Sequence, residues 1–302
     1  MGARWSFPPI GRLVRTGAGQ LHLYITGSGR PAVILEAGIA ATSLSWARVQ
    51  PEIARLTTVV SYDRAGLGWS GPATTPRTPS VIAAELRDAL GTAGVDPPYV
   101  LAGHSFGGLV VQRFATLYRR DVSGVVLVDA LPARDWCPLT PERARMLAHG
   151  IRLSRRGALL ARLGIIGGSL RILLAGGRLV PRLAARMSSG TGGSGFTDRV
   201  VGEIGKLPRE LWPIIAWHWS QAKNFEGMVR HLECLPESAA EMTAFELDPS
   251  LPVTALLAEG ADDPGLPRQW RIVRVAGSGH WIQLDRPDLV VGAVRDLLRA
   301  DR

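Results

Sequence analysis

The sequence contains very little cysteine and no long apolar run. Its two cysteines, Cys137 and Cys234, cannot build a disulfide framework, and they do not form a C-x-x-C pair of the kind that binds metals. No uncharged apolar stretch reaches the roughly 18 residues that a membrane-spanning helix needs. The N-terminus also lacks the apolar segment of a secretory signal. These absences predict a cytoplasmic globular protein with free thiols.

Lysine is nearly absent too, although the chain carries a net charge of +9. Only Lys206 and Lys223 are lysines, so 33 of the 35 basic residues are arginines. Ten arginines lie between Arg143 and Arg186 without an intervening acid, and subtracting them leaves −1 for the rest. A positive charge confined to one segment argues against a nucleic-acid binder. It fits a lid whose arginines reach solvent, or a basic amphipathic surface that rests on anionic membranes.

Short apolar strands alternate with helices over much of the chain. The strands are expected in RLVRTG, QLHLYITG, PAVILEAG, TTVVSYDRAG, YVLAG, VSGVVLVDA, LPVTALLAEG and RIVRVAG. Strands that are apolar throughout are typical of a parallel sheet with helices on both faces, so we predict an α/β fold. Residues 131–250 break this rhythm with helical pieces and tryptophans. They are interpreted as a helical cap inserted into a core domain formed by residues 1–130 and 251–302.

The segment YVLAGHSFGGLVV places a serine at a sharp strand-to-helix turn. Gly103 and Gly107 stand two residues before and after Ser105, where small side chains relieve crowding. Such a turn lifts the hydroxyl clear of the sheet and sets it at the N-terminus of the next helix. Ser105 is therefore the predicted nucleophile.

A neutral serine needs a base, and the base needs a carboxylate that fixes its tautomer. Among the six histidines, His280 is the best candidate base because it lies in a glycine-rich loop after the last strand. The loop after the preceding strand offers Asp263, which we prefer as the acid, and Asp262. Asp129, at the end of the sixth strand, is the other alternative.

With the GHSFG turn and the chain order Ser105, Asp263, His280, the sequence resembles serine hydrolases of the α/β-hydrolase fold, especially capped esterase- and aminopeptidase-like members. The resemblance covers residues 12–130 and 250–300. It implies that the backbone N–H groups of Phe106 and Ile39 form the oxyanion hole. The family's His-Gly pair is replaced by Ala37-Gly38, so the histidine is absent and Glu36 is the candidate for supporting that loop.

The expected activity is hydrolysis of carboxylic esters of fairly apolar small molecules through an acyl-enzyme. Amide, thioester or carbon–carbon bond hydrolysis, and a binding protein without turnover, stay open as alternatives. No P-loop, dinucleotide fingerprint or metal-ligand cluster is present in the sequence, so no cofactor is expected. Asp63 and Arg64 are predicted to form an ion pair near the site. The residues expected to line the acyl pocket are Trp46, His104, Phe106, Leu131 and Trp281.

Overall fold

The protein folds around one eight-stranded sheet. The computed structural model describes residues 5–175, 205–243, 245–261 and 265–300. The strands are β1 Arg12–Thr16, β2 Gly19–Thr26, β3 Ala32–Glu36, β4 Val59–Asp63, β5 Tyr99–His104, β6 Val122–Val128, β7 Val253–Ala258 and β8 Arg271–Val275. Six of them lie within segments that the sequence predicts as strands, and β2 and β5 each extend one residue beyond theirs.

Helices account for most of the remaining described chain. The α-helices are α1 Gln50–Ile53, α2 Pro79–Thr92, α3 Phe106–Leu117, α4 Pro141–Arg162, α5 Ile165–Ala175, α6 Trp212–Trp219, α7 Ala222–Glu233, α8 Leu235–Thr243, α9 Ile282–Asp285 and α10 Pro287–Ala300. Short 3₁₀ turns lie at Ser43–Trp46, Arg119–Asp121, Ala133–Asp135 and Arg209–Leu211. In the described part of the chain, no helix is both long enough and apolar enough to cross a bilayer.

The strand order in the sheet is β1-β2-β4-β3-β5-β6-β7-β8. β2 runs antiparallel to both β1 and β4, and the strands from β4 to β8 pair in parallel. Every residue of β3, β4, β5 and β7 is buried. The prediction of a mostly parallel α/β sheet is thereby confirmed.

Helices cover both faces of the sheet, which explains why its strands are apolar throughout. Ile34 packs with Leu86 of α2 and Phe114 of α3 on one face. Its neighbour Val33 packs with Ile53 of α1 and Val290 of α10 on the other. Consecutive strand residues point to opposite faces, so two separate apolar layers form.

The helices between β6 and β7 lie over the start of α3. Phe106, Leu109 and Val110 of α3 form one buried apolar cluster with Leu147 of α4 and Leu232 of α7. α4 packs closely along α7, because a Cβ at Gly157 would collide with the ring of Phe225. The inserted helices are therefore held directly above the turn that carries Ser105.

Candidate active site

Ser105 occupies a strained turn between β5 and α3. Its φ of 52° and ψ of −120° lie where a residue with a side chain is rarely found, and such a conformation costs roughly 1–3 kcal/mol. A Cβ at Gly103 would lie 2.5 Å from the carbonyl oxygen of Gly107. A Cβ at Gly107 would lie 2.5 Å from the carbonyl oxygen of Glu36. Glycine is needed at both positions because backbone approaches backbone there.

Hydrogen bonds tie the turn to the end of β6. The Ser105 N–H donates to the carbonyl of Val128 at 3.1 Å, and the Leu131 N–H donates to the Ser105 carbonyl at 3.0 Å. The serine itself is 8% exposed. These bonds hold the strained serine beside Asp129, the residue that follows β6.

Among the described residues, Asp129 provides the carboxylate that contacts the imidazole of His280. Its Oδ2 lies 2.6 Å from Nδ1 of His280, and its Oδ1 accepts from the N–H of Ala258 at 3.0 Å. Both carboxylate oxygens are thus engaged, which fixes the plane of the group. The imidazole is correspondingly fixed with Nδ1 as the donor, and its Nε2 is left as the basic nitrogen when the ring is neutral.

The loop that carries His280 is held from two sides. The N–H of Gly279 donates to Asp285 at 3.1 Å. Nε2–H of His104 donates to the carbonyl of His280 at 2.9 Å, and the two rings are 4.7 Å apart. Burial, reinforced by the neighbouring His280, lowers the pKa of His104 well below its usual value. His104, which directly precedes Ser105, is therefore a neutral donor that connects the His280 loop to the end of β5.

The two other candidate acids, Asp262 and Asp263, lie outside the described residues. Glu259, in the same loop, accepts from the N–H of Gly277 at 2.7 Å and so stabilises the turn after β8. Of the carboxylates weighed from the sequence, Asp129 is the one that the described structure brings to His280. The available signal was its position at the carboxyl end of β6, directly beside β5.

The loop after β3 brings Ile39 and Phe106 into one cluster. Leu131 and Ile39 both pack against the apolar group that contains Phe106. A Cβ built on Gly38 would lie 3.4 Å from Cβ of Ser105. The peptide between Gly38 and Ile39 therefore adjoins Ser105.

A buried polar group supports that loop. The Tyr62 hydroxyl donates to Oε2 of Glu36, and Nε of Arg64 lies 3.6 Å from Oε1 of Glu36. Burial raises the pKa of Glu36 to about 7, against the opposing influence of Arg64. Glu36 thus contacts Tyr62 and Arg64, whose side chains lie beneath the loop.

The carboxyl edge of this mostly parallel sheet carries a serine on a strand-to-helix turn and a histidine on a loop, and the histidine contacts a carboxylate. A model of the alpha/beta hydrolase family matches residues 33–293. The chain belongs to the alpha/beta hydrolase family.

Curated relatives match parts of this alpha/beta hydrolase. An AB hydrolase superfamily protein of Gibberella zeae is 40% identical over 113 residues, which cover 35% of this chain and 35% of the relative. The protein YqjL of Bacillus subtilis is 34% identical over 103 residues, covering 34% of this chain and 41% of the relative. The chain thus spans well under half the length of these relatives.

Solved structures match nearly the whole alpha/beta hydrolase chain. A thermophilic esterase from Thermogutta terrifontis is 22% identical with a TM-score of 0.64, over 96% of this chain and 98% of that one. The epoxide hydrolase CorEH is 18% identical with a TM-score of 0.68, over 96% and 99%. At these identities the likeness concerns the fold.

A cavity of about 60 Å³ lies between the loop after β3 and the inserted helices of this alpha/beta hydrolase. Trp281, which the sequence analysis expects in the acyl pocket, and Ile39 both line this cavity. His218 and Asn224, from α6 and α7, line its far wall, and the sequence analysis did not identify them. Their only sequence signal was their location within the tryptophan-rich insertion.

The structure places the other predicted pocket residues elsewhere. Trp46 is fully buried in the core layer with Val33, so it lies in the core and not on the cavity wall. His104 is buried beneath the loop that carries His280. Phe106 is buried, and Leu131, partly buried, packs against its cluster. An aromatic residue after a strand is equally suited to a core and to a pocket, and composition does not separate the two.

The predicted ion pair between Asp63 and Arg64 is not formed. Asp63 instead pairs with Nδ1 of His22 at 3.0 Å, and it accepts N–H bonds from Ser43 at 2.8 Å and Trp69 at 2.9 Å. Burial opposes the ionisation of Asp63, but the His22 contact and these donors lower its pKa to about 2. Asp63 therefore fastens two loops, one of which borders the cavity.

Proposed function

We propose that the protein hydrolyses carboxylic esters of fairly apolar small molecules through an acyl-enzyme, with Ser105, His280 and Asp129 as the catalytic triad. The observation that carries the proposal is the 2.6 Å contact between Asp129 and His280, on the loop that His104 ties to the serine turn. Asp129 takes the role that the sequence analysis gave to Asp263.

The proposed reaction has two halves, formation of the acyl-enzyme and its hydrolysis. His280 Nε2 takes the proton of the Ser105 hydroxyl while Oγ forms a bond to the ester carbonyl carbon. The carbonyl π electrons move onto oxygen, which the N–H groups of Phe106 and Ile39 stabilise. The carbonyl reforms, the alcohol leaves with the proton from His280, and water repeats the sequence to release the acid.

The cavity beside Ile39 is the proposed site for the substrate's acyl portion. A volume of about 60 Å³ corresponds to a few water molecules, which suits a short acyl chain. Its walls include Leu44, Ile215 and Trp219, so apolar groups are favoured. We further propose that residues 131–250 act as the cap over the core of residues 1–130 and 251–302, because α6 and α7 supply the cavity's outer wall.

The test compares wild type with Ser105→Ala on p-nitrophenyl acetate, butyrate and octanoate. We expect the variant to lose about 10⁴-fold or more of the rate while keeping its thermal stability. The acetate and butyrate esters should exceed the octanoate in kcat/KM. Retention of full turnover by Ser105→Ala would eliminate the mechanism.

The same assay distinguishes the alternative activities. Aminoacyl amides and acyl thioesters of matched chain length test amidase and thioesterase activity, and a vinylogous diketone tests carbon–carbon cleavage. A fluorophosphonate probe labels an activated serine rapidly. Absence of labelling in wild type would instead favour a binding protein without turnover.

The described part of the arginine-rich segment supports a second proposal, contact with anionic membranes. Met146, Leu153 and Leu160 are exposed on α4 and recur every seven residues, so they share one face. α4 carries six arginines and only one acid, Glu142. Basic amphipathic helices of this kind bind anionic lipid surfaces.

Co-sedimentation with vesicles tests the membrane proposal. We expect binding to phosphatidylglycerol-containing vesicles that weakens as salt is raised, because screening reduces the attraction between arginines and headgroups. A Leu153→Gln, Leu160→Gln double variant should bind less. Equal binding to neutral phosphatidylcholine vesicles would contradict the electrostatic basis.

A further inference from the structure

A fully buried arginine lies beneath the loop that follows β3. The side chain of Arg64 is 1% exposed. Its Nη2 donates to the carbonyl oxygen of Ala37 at 3.1 Å and, more closely, to that of Gly38. A guanidinium that binds two successive carbonyls fixes the course of the loop, because its donors lie in one rigid plane.

The Gly38 carbonyl belongs to the same peptide group as the N–H of Ile39. In a trans peptide the C=O and the N–H point in opposite directions, and the group is planar. Holding the carbonyl toward Arg64 therefore sets the direction of the Ile39 N–H. Gly38 adjoins the nucleophile, since a Cβ built on it would lie 3.4 Å from Cβ of Ser105.

The same guanidinium also contacts the second proposed oxyanion donor. Its central carbon lies 5.2 Å from the centre of the Phe106 ring, within cation–π range. The backbone around Phe106 and the loop are in direct contact, because a Cβ at Gly107 would lie 2.6 Å from the carbonyl oxygen of Ala37. One cation thus touches both segments that supply oxyanion donors.

Burying this charge is costly, and its compensation is incomplete among the described residues. Glu36 lies 3.6 Å away, beyond hydrogen-bond distance, and it also accepts from Tyr62. Nη1 of Arg64 is buried and has no hydrogen-bond partner in the part of the chain that the structure describes. Replacing a buried ion pair by apolar side chains is often neutral or stabilising in proteins, so a side chain that only filled space here would not need to be charged. The cost points to a role in which the charge itself is used.

We propose that Arg64 is a positioning residue that orients and polarises the Gly38–Ile39 peptide and thereby strengthens the oxyanion hole. A charged donor on the carbonyl oxygen draws electron density through the peptide and makes its N–H a stronger donor. The inference rests on the proposed function, in which the Ile39 and Phe106 amides stabilise the oxyanion. Arg64 itself does not touch the substrate.

The test uses Arg64→Met and Arg64→Lys, with Arg77→Met as the matched control. Arg77 is equally buried and pairs with Glu85 at 2.5 Å, but it contacts neither the loop nor the serine turn. Direct loss of an oxyanion donor costs about 10²–10³-fold in kcat. For an indirect role we expect kcat to fall about 10–100-fold in Arg64→Met, and less in Arg64→Lys, with KM changed less than about threefold.

A second readout separates positioning from stability. The Ki of a trifluoromethyl ketone, whose adduct carries an oxyanion, should rise in parallel with the loss of kcat/KM across the Arg64 variants. The Ki of the corresponding alcohol, which has no oxyanion, should stay constant. Arg77→Met should lower the melting temperature while leaving the kcat of the folded protein unchanged. If Arg64→Met does not fold, Arg64→Lys provides both readouts.

Two results would overturn the inference while the proposed function stands. One is wild-type kcat in the Arg64 variants. The other is equal weakening of the ketone and the alcohol, which would indicate general distortion of the site. A wild-type protein that hydrolyses no ester and is not labelled by a fluorophosphonate would instead refute the proposed function itself.

Discussion

Replacing Asp129 by asparagine should abolish most of the activity without disturbing the fold. The Ala258 N–H donates to Oδ1 of Asp129, so the asparagine oxygen will remain on that side. Its NH₂ group will then face Nδ1 of His280, where the carboxylate oxygen now lies at 2.6 Å. An amide N–H donor favours the imidazole tautomer with its proton on Nε2, and that tautomer cannot accept the serine proton.

The expected loss follows from this reversal of the tautomer. In a serine protease with a Ser-His-Asp triad the same exchange lowers kcat by about 10⁴, equivalent to roughly 5.5 kcal/mol of transition-state stabilisation. The size and shape of the side chain are nearly unchanged, so the Asp129→Asn melting temperature should stay close to that of wild type. The assay is kcat/KM on p-nitrophenyl acetate, with active-site titration by a fluorophosphonate.

Asp263→Asn is the control for the same experiment. If Asp129 is the acid, Asp263→Asn should change kcat/KM by less than about tenfold. The reverse pattern, full activity in Asp129→Asn together with a collapse in Asp263→Asn, would refute the assignment. It would also return the acid to the position that the sequence alone favoured.

Three further predictions concern stability. Gly107→Ala should cost about 1–3 kcal/mol by overpacking against the Glu36 and Ala37 carbonyls, whereas Gly91→Ala, in open space on α2, should gain about 0.5–1 kcal/mol, both measured by urea denaturation. The pKa of Glu36 is raised from 4.5 to about 7, so the native state favours its protonated form. About 3 kcal/mol of folding stability should therefore be lost as the pH rises from 4.5 through 7, and the Glu36→Gln variant should not show this pH dependence. The pKa of Asp63 is lowered from 3.8 to about 2, so its ionised form contributes about 2 kcal/mol of folding stability above pH 3.8, and this contribution disappears as the pH falls to 2. If the Asp63→Asn variant lost as much stability between pH 3.8 and pH 2 as wild type does, the prediction would be contradicted.

The sheet and the strand-to-helix turn at Ser105 could be predicted because their signals are local. Runs of four to eight apolar residues mark the strands, and the glycines around Ser105 mark a turn that only small residues permit. The fold confirms the strands, each of which is in place, whereas the role of Ser105 as nucleophile stays a prediction. The choice of acid was harder, because Asp129 and Asp263 both follow strands that end at the same edge of the sheet.

The structure shows a conformation and contacts of Asp129 that its place in the sequence does not reveal. Asp129 adopts a positive φ of 43°, and its side chain lies between the Ala258 N–H and the His280 ring. Nothing in the residues around Asp129 encodes that turn, which depends on hydrogen bonds from β6 to β7 and to the serine turn. His218 could not be identified from the sequence for the same reason. Its place on the cavity wall depends on how α6 lies against a loop that is far away in sequence.

Asp63 and Arg64 are adjacent and oppositely charged, but at the end of β4 each has its own partners. Successive residues along a strand point to opposite sides, so two neighbours of opposite sign cannot readily pair with each other. Asp63 faces His22 on β2, and Arg64 faces the carbonyls of Ala37 and Gly38 beyond β3. The aspartate therefore fastens the loops around the cavity. The arginine remains free of that carboxylate, so more of its positive charge acts on the peptide that adjoins Ser105 than it would within a tight ion pair.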